Sequence, residues 1–239
     1  MPKPLLIART GSTFSAIREK RGDFDDWFLE RFRQLGVTAE VWVANGADRL
    51  PNADDYQAVV VTGSPAMVTD REPWSEALAV WLRNAAEAGL PMLGVCYGHQ
   101  LLAHAFGGEV GYHPKGREIG THEVQLQDAA SDDSLFGGMP SRFVAHLTHA
   151  QSVLRLPEQA VLLASNAYEP HQAFRIGERA WGVQFHPEFD AEIMASYLAH
   201  FRNQLEQEGT DPEVLLNAVR EAPEATSLLA RFAQFAERV

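Results

Sequence analysis

Residues 92–100 read Met-Leu-Gly-Val-Cys-Tyr-Gly-His-Gln. A short apolar run leads into a cysteine that has a glycine two positions before it and another two positions after it. The first four residues are typical of a short buried strand, and a helical pattern from Tyr97 to Phe106 follows almost without a loop. Gly-x-Cys-x-Gly at such a junction is the thiol counterpart of the Gly-x-Ser-x-Gly nucleophile elbow. The glycines remove side chains that would clash across a sharp turn, and a helix N-terminus stabilises a thiolate. The stretch predicts an α/β fold with Cys96 as nucleophile, with a buried cysteine in a plain tight turn as the alternative.

On both sides of this turn, short apolar runs alternate with longer amphipathic stretches, as strands alternate with crossover helices. Before it, the predicted elements are the strands Leu5–Ala8, Ala39–Val43 and Ala58–Val61 and the helices Asp23–Leu35 and Glu72–Ala88. After Gly107, the predicted elements are strands at Thr121–Leu126, Phe143–Leu147, Val161–Ser165, Gln172–Ile176 and Ala180–Phe185 and a helix at Asp190–Leu205. The predicted fold class is therefore α/β: a mostly parallel central sheet with helices on both faces, plus a small antiparallel sheet.

The predicted layout is one α/β domain over residues 1–205 and a C-terminal helical extension over residues 206–239. The extension is amphipathic, so its apolar face needs a partner to cover it. The sequence leaves open whether that partner is its own domain or another subunit.

Composition narrows the classes of function. Among 239 residues, Lys and Arg number 20 and Asp and Glu 32, which gives a net charge of −12. Such a chain is repelled by nucleic acids and anionic membrane surfaces, so we expect neither as a partner. The single cysteine excludes a disulfide framework and a cysteine-rich zinc site, and we expect no metal. With no apolar run long enough to span a bilayer and no signal peptide, the expected location is cytoplasmic.

One histidine has the neighbours that a thiol nucleophile requires. Residues 181–188 read Trp-Gly-Val-Gln-Phe-His-Pro-Glu, an apolar strand pattern that ends in His186 and Glu188. A cysteine nucleophile needs a histidine within hydrogen-bond reach, and the histidine needs a carboxylate to orient it. Strand ends facing the elbow are where an open α/β sheet places its active site. We therefore predict His186 as the base and Glu188 as its orienting group, with a surface His-Pro-Glu turn as the alternative.

Together these motifs resemble those of the class I, triad-type glutamine amidotransferases. Gly-x-Cys-x-Gly-x-Gln at 94–100 and His-Pro-Glu at 186–188 stand in that family's order. Residues 60–65, Val-Val-Thr-Gly-Ser-Pro, resemble the turn that lines its oxyanion hole, and residues 148–153, Thr-His-Ala-Gln-Ser-Val, resemble its Ser-His-x-Asp-x-Val segment. The similarity covers about residues 1–205 and is greatest to the amidotransferase domain of GMP synthase and free-standing relatives of it.

The resemblance implies a flavodoxin-like fold and hydrolysis of glutamine without a cofactor. Cys96 would attack the side-chain amide, His186 would pass a proton to the leaving ammonia, and Glu188 would hold His186. Hydrolysis of the resulting thioester would then release glutamate. The resemblance also implies an oxyanion hole formed by Gly63, Ser64 and Tyr97 and substrate binding by Gln100, Ala150 and Gln151.

The sequence departs from the usual family pattern in two places. No Ser-Gly-Gly-x-Asp-Ser loop and no Walker-type phosphate loop occurs in it, so we expect any ATP-dependent synthetase to be a separate partner subunit. In addition, Gln151 replaces the acid of the Ser-His-x-Asp segment, which puts the usual coupling to a synthetase in doubt.

Three other functions are alternatives to glutamine hydrolysis, and the third of them fits the sequence least well. The same triad would serve a γ-glutamyl peptide hydrolase, because both substrates present a γ-glutamyl carbonyl to the thiolate. A non-catalytic regulatory protein with the amidotransferase fold is a second alternative, and its role would survive replacement of Cys96. Cysteine deglycases and intracellular peptidases of related fold usually have histidine directly after the nucleophile, where this chain has Tyr97.

Overall fold

The computed structural model describes residues 3–46 and 49–239. Its strands are β1 (Leu5–Arg9), β2 (Ala39–Val43), β3 (Ala58–Val61), β4 (Met92–Val95), β5 (Glu109–Tyr112), β6 (Glu118–Leu126), β7 (Arg142–His149), β8 (Gln151–Arg155), β9 (Ala160–Ser165), β10 (Ala173–Ile176) and β11 (Ala180–Val183). Its helices are α1 (Ser15–Arg21), α2 (Phe24–Gln34), α3 (Pro73–Glu87), α4 (Tyr97–Ala105), α5 (Ala191–Gln207), α6 (Pro212–Ala218) and α7 (Pro223–Ala236).

A mixed sheet forms the centre of the molecule. Within the described ranges, nine strands pair in the order β2-β1-β3-β4-β11-β10-β9-β6-β7. The strands from β2 to β11 are parallel, and those from β10 to β7 continue the sheet antiparallel. The predicted α/β class is confirmed. The small antiparallel sheet consists of β5 and β8, which the sequence did not predict, whereas the predicted strands after Gly107 extend the central sheet.

Helices cover both faces of the parallel strands, as predicted. Successive side chains of a strand point to opposite faces. On β1, Leu5 and Ile7 therefore pack in one core with α2 and α7, and Leu6 and Ala8 pack in another with α3 and α4. This layering leaves the carboxyl ends of the strands as the open edge of the sheet.

The C-terminal helices pack on their own chain. Leu228, Leu229 and Phe232 of α7 are fully buried in the same core as β1 and α2. The rings of Trp181 and Phe232 meet edge to face at 6.4 Å. The apolar face that the sequence left without an assigned partner is thus covered within the monomer.

Most predicted elements begin and end within a few residues of those observed. Helix α1 was missed because Ile17 is its one buried residue, so it has no apolar stripe to recognise. Strand β11 ends at Val183, two residues before the predicted end. No helix within residues 3–46 and 49–239 is both long and apolar enough to cross a bilayer.

Candidate active site

Cys96 occupies a strained turn between β4 and α4. Its φ of 53° and ψ of −99° lie in a region that residues other than glycine rarely adopt. Its backbone N–H donates to the carbonyl of Val183, which ties the turn to β11 at 2.9 Å. The surrounding structure therefore holds the cysteine in this strained turn, where it borders a cavity.

The two glycines of the motif are required by close backbone approach. A Cβ atom on Gly94 would lie 2.3 Å from the carbonyl oxygen of Gly98, and one on Gly98 would lie 2.4 Å from that of Val61. Neither neighbour is the end of a flexible side chain, so a methyl group at either position would displace backbone.

We expect Gly98→Ala to destabilise the protein by about 2 kcal/mol or more, because β3 and α4 must separate to admit the methyl group. Thermal unfolding of the purified variant measures this loss. Gly46→Ala is the matched control, since its Cβ would meet nothing within 4 Å among residues 3–46 and 49–239. An unchanged melting temperature for Gly98→Ala would contradict the steric explanation of the motif.

His186 and Glu188 form a buried pair beyond the end of β11. The Nδ1 atom of His186 lies 2.8 Å from Oε1 of Glu188, and each side chain is about 1% exposed or less. The His186 ring stacks on Phe189 at 4.1 Å and faces Phe24 of α2 at 6.3 Å. The backbone N–H of His186 donates to the backbone carbonyl of His146 on β7, which ties the segment after β11 to that strand. These contacts hold the ring in one orientation.

The second ring nitrogen of His186 remains free for chemistry. Nε2 is buried and has no hydrogen-bond partner in the described part of the chain. Burial alone would lower the pKa of His186, but Glu188 and Cys96 together raise this pKa to about 10. Glu188 and Cys96 thus favour the protonated form of the ring, whose Nε2 atom lies on the side away from the Nδ1–Glu188 contact.

The predicted oxyanion donors lie on two loops at the same end of the sheet. Tyr97 is the first residue of α4, so its amide N–H has no acceptor within the helix. The Ser64 hydroxyl donates to the carbonyl of Thr10 and accepts from the amide of Ala66, which leaves the Ser64 side chain a structural role. A Cβ on Gly63 would lie 3.0 Å from Cε1 of His186, so that backbone contacts the ring.

The predicted substrate-binding residues form part of the wall of the cavity that Cys96 borders. The side-chain amide of Gln100 donates to the carbonyl of Gln151 and to Oε1 of Gln184, at 2.7 and 3.0 Å. The N–H groups of this amide thus bind the protein. Gln100, Ala150 and Gln151 all border one cavity with Cys96.

A second buried histidine supports this wall. His149 lies 2.9 Å from Glu118 through Nε2 and 2.9 Å from the carbonyl of Gln151 through Nδ1. Both ring nitrogens of His149 are thus engaged by groups of the protein. Burial alone would raise the pKa of Glu118, but hydrogen bonds from His149 and Asn166 hold this pKa below its usual value. Glu118 therefore stays paired with His149 behind this wall of the cavity.

The cavity that joins these groups has a volume of about 270 Å³. Besides the predicted residues, it is lined by side chains that sequence reasoning missed: Thr13, Phe14, Arg117, Tyr197 and Phe201. None of these lies in a recognisable motif, and they come from a loop before α1, the start of β6 and helix α5. Among residues 3–46 and 49–239, no group of three or more side chains is arranged to hold a metal ion.

Comparison with known proteins shows the family of the chain. The family model of glutamine amidotransferase class-I matches residues 20–204. GMP synthase [glutamine-hydrolyzing] of Aeropyrum pernix is 38% identical over 184 residues, which are 74% of this chain and 34% of that protein. The chain thus spans about a third of the length of this relative.

Two other similarities extend along nearly the whole chain. Gamma-glutamyl peptidase 3 of Arabidopsis thaliana is 28% identical over 216 residues, or 87% of this chain and 85% of that protein. The crystal structure of a glutamine amidotransferase from Thermotoga maritima has the same fold, with a TM-score of 0.76 at 23% identity over 100% of this chain and 98% of that one. With the family model matching most of its length, the chain belongs to the class-I glutamine amidotransferase family.

Proposed function

We propose that this protein hydrolyses γ-glutamyl amides and that its substrate is the side-chain amide of glutamine. The observation that supports this most directly is the strained Cys96 at a cavity shared with the buried His186–Glu188 pair. A thiol, an imidazole and an orienting carboxylate are the set that acyl transfer through a covalent intermediate requires.

In the proposed reaction, the Cys96 thiolate attacks the γ-carbonyl carbon, and the amides of Tyr97 and of the Gly63–Ser64 loop stabilise the oxyanion. The C–N bond then breaks as imidazolium His186 gives its proton to the leaving nitrogen. Ammonia departs, and the γ-glutamyl group remains on sulfur as a thioester. Water attacks the thioester and gives a proton to His186, which releases glutamate and restores the thiolate.

A second substrate class is favoured by a specific observation. The relative named as a γ-glutamyl peptidase matches this chain over most of both lengths, whereas the match to GMP synthase covers about a third of that protein. A γ-glutamyl peptide presents the same carbonyl to Cys96, and its leaving group is an amino acid instead of ammonia. The reaction follows the same steps for this substrate, and the proton of His186 goes to the nitrogen of the leaving amino acid.

A synthetase subunit is the partner that we propose for the glutamine reaction. Released ammonia needs an acceptor, and in GMP synthase most of the protein lies outside the region that this chain matches. A reducing cytoplasmic setting, which keeps a thiol nucleophile free, fits either substrate.

Glutamate release from L-glutamine and from a panel of γ-glutamyl dipeptides tests the proposal. We expect the purified protein to release glutamate from at least one of them and Cys96→Ala to release none. Release from peptides with little from glutamine would assign the peptidase activity. Inactivity toward every compound, alone and with a candidate synthetase, would contradict an enzymatic role and favour the regulatory one.

A further inference from the structure

Arg117 lies at the wall of the active-site cavity with its guanidinium against an aromatic ring. It directly precedes β6, is half-buried, and lines the cavity together with Cys96. Its guanidinium carbon is 4.3 Å from the centre of the Phe201 ring. Such stacking orients a planar guanidinium while leaving its N–H donors free at the edge.

The charge of Arg117 is not balanced by the protein. Within residues 3–46 and 49–239, no carboxylate lies within 4.0 Å of it, and its buried Nε atom has no hydrogen-bond partner. Burial lowers the pKa of Arg117, against the opposing effects of Glu208 and Cys96, but a guanidinium stays protonated. A partly desolvated cation without a partner in the protein is suited to pair with an anionic ligand.

The other basic groups around the cavity are already paired. His149 bonds Glu118 and His186 bonds Glu188, each pair within 2.9 Å. No aspartate or glutamate is among the described residues that line the cavity. Arg117 is thus the lining cation without its own anion, and the cavity favours a negatively charged ligand at that wall.

We propose, building on the γ-glutamyl chemistry above, that Arg117 binds a carboxylate of the substrate and thereby selects γ-glutamyl compounds that carry one. The guanidinium fork matches a carboxylate with two parallel hydrogen bonds. Every γ-glutamyl substrate has an α-carboxylate, and a γ-glutamyl dipeptide has a second carboxylate on its leaving group. Arg117 would bind the α-carboxylate and the leaving-group carboxylate in the same way. Ligands that lack one or the other carboxylate show which of them it binds.

Binding in a Cys96→Ala background tests this independently of turnover. The ligands are γ-glutamylglycine, the same dipeptide with its α-carboxylate converted to an amide, and γ-glutamylglycinamide, each titrated calorimetrically. We expect Arg117→Met to weaken binding of γ-glutamylglycine by about 10- to 100-fold, the effect of losing a hydrogen-bonded charge pair. Arg117→Lys keeps the positive charge but lacks the planar pair of N–H donors. Its affinity for γ-glutamylglycine should lie between those of the protein with Arg117 and of Arg117→Met.

The ligand for which Arg117→Met has no effect identifies the carboxylate. If Arg117→Met leaves the affinity for the α-amide dipeptide unchanged, Arg117 binds the α-carboxylate. If it leaves the affinity for γ-glutamylglycinamide unchanged, Arg117 binds the carboxylate of the leaving group. Arg155→Met is the matched control, since it removes one positive charge from an exposed position on β8 away from the cavity.

An equal loss for all three ligands, no loss, or no binding of any ligand would overturn the role of Arg117. Selective loss in this assay together with a wild-type protein that releases no glutamate would instead leave the carboxylate site in place and refute the proposed hydrolysis. For an active wild type, the selective effect should also appear as a raised KM with a smaller change in kcat.

Discussion

Replacing Cys96 with alanine is expected to lower glutamate release by about 10⁴-fold or more while the protein stays folded. Alanine has no atom that can form the thioester, and no other cysteine occurs in the chain. The fold should survive because the turn is held by backbone contacts, including the bond from the Cys96 N–H to Val183, which alanine keeps. Initial rates with wild-type and variant protein, together with their melting curves, measure both parts.

Cys96→Ser is the matched variant, because it replaces the sulfur with oxygen and keeps the size of the side chain. We expect it to be nearly as inactive as alanine, since a serine hydroxyl is a far weaker acid than a thiol and gives up its proton much less readily to His186. Acid-quenched wild-type protein should carry a glutamyl adduct by intact-protein mass spectrometry, and neither variant should. Substantial turnover by Cys96→Ala would rule out the covalent mechanism.

Removing the His186 ring is expected to cost about 10³-fold in kcat/KM, and removing the Glu188 carboxylate should cost less. His186 is the group that moves the proton, whereas Glu188 acts on it through a 2.8 Å hydrogen bond. Alanine at each position, assayed with the same substrate, compares the two. A larger loss for Glu188→Ala than for His186→Ala would mean that the two roles are assigned wrongly.

The pH profile distinguishes this positioning role from a merely structural one. In Glu188→Gln the carboxylate that raises the pKa of His186 is gone, so that pKa falls from about 10. The imidazolium is then lost at lower pH, and the alkaline limb of kcat/KM should move toward neutrality. An alkaline limb at the wild-type position would show that Glu188 does not set the protonation of His186.

The same pair should contribute to stability in a defined pH window. The folded pKa of about 10 lies above the usual value of roughly 6.5 for a histidine in an unfolded chain. Its stabilising contribution is therefore fully present below about pH 6.5 and is lost as the pH rises through about 10. The difference in melting temperature between wild type and Glu188→Gln should accordingly shrink at alkaline pH.

Much of the fold could be predicted because its signals are local. The parallel strands β1 to β4 are short apolar runs, and α2 and α3 have clear apolar faces, so periodicity alone located them. The pairing of β5 with β8 could not be predicted in the same way. Both strands are short, β5 is partly exposed, and their pairing joins residues about forty positions apart.

The residues of the candidate site likewise fall into those that a local sequence pattern predicts and those that only the folded structure brings together. By itself the sequence determined the nucleophile turn, because Gly94, Cys96 and Gly98 meet constraints within a few residues of chain. It also predicted a His186–Glu188 pair from their spacing at a strand end, and the two side chains lie 2.8 Å apart. Only the tertiary structure decided which groups surround them. The pKa of His186 is raised by Glu188 and by Cys96, against the effect of burial, and Cys96 comes from a distant segment of the chain. Arg117 meets Phe201 because β6 and α5 pack together. These contacts join distant segments, and no short pattern of residues encodes them.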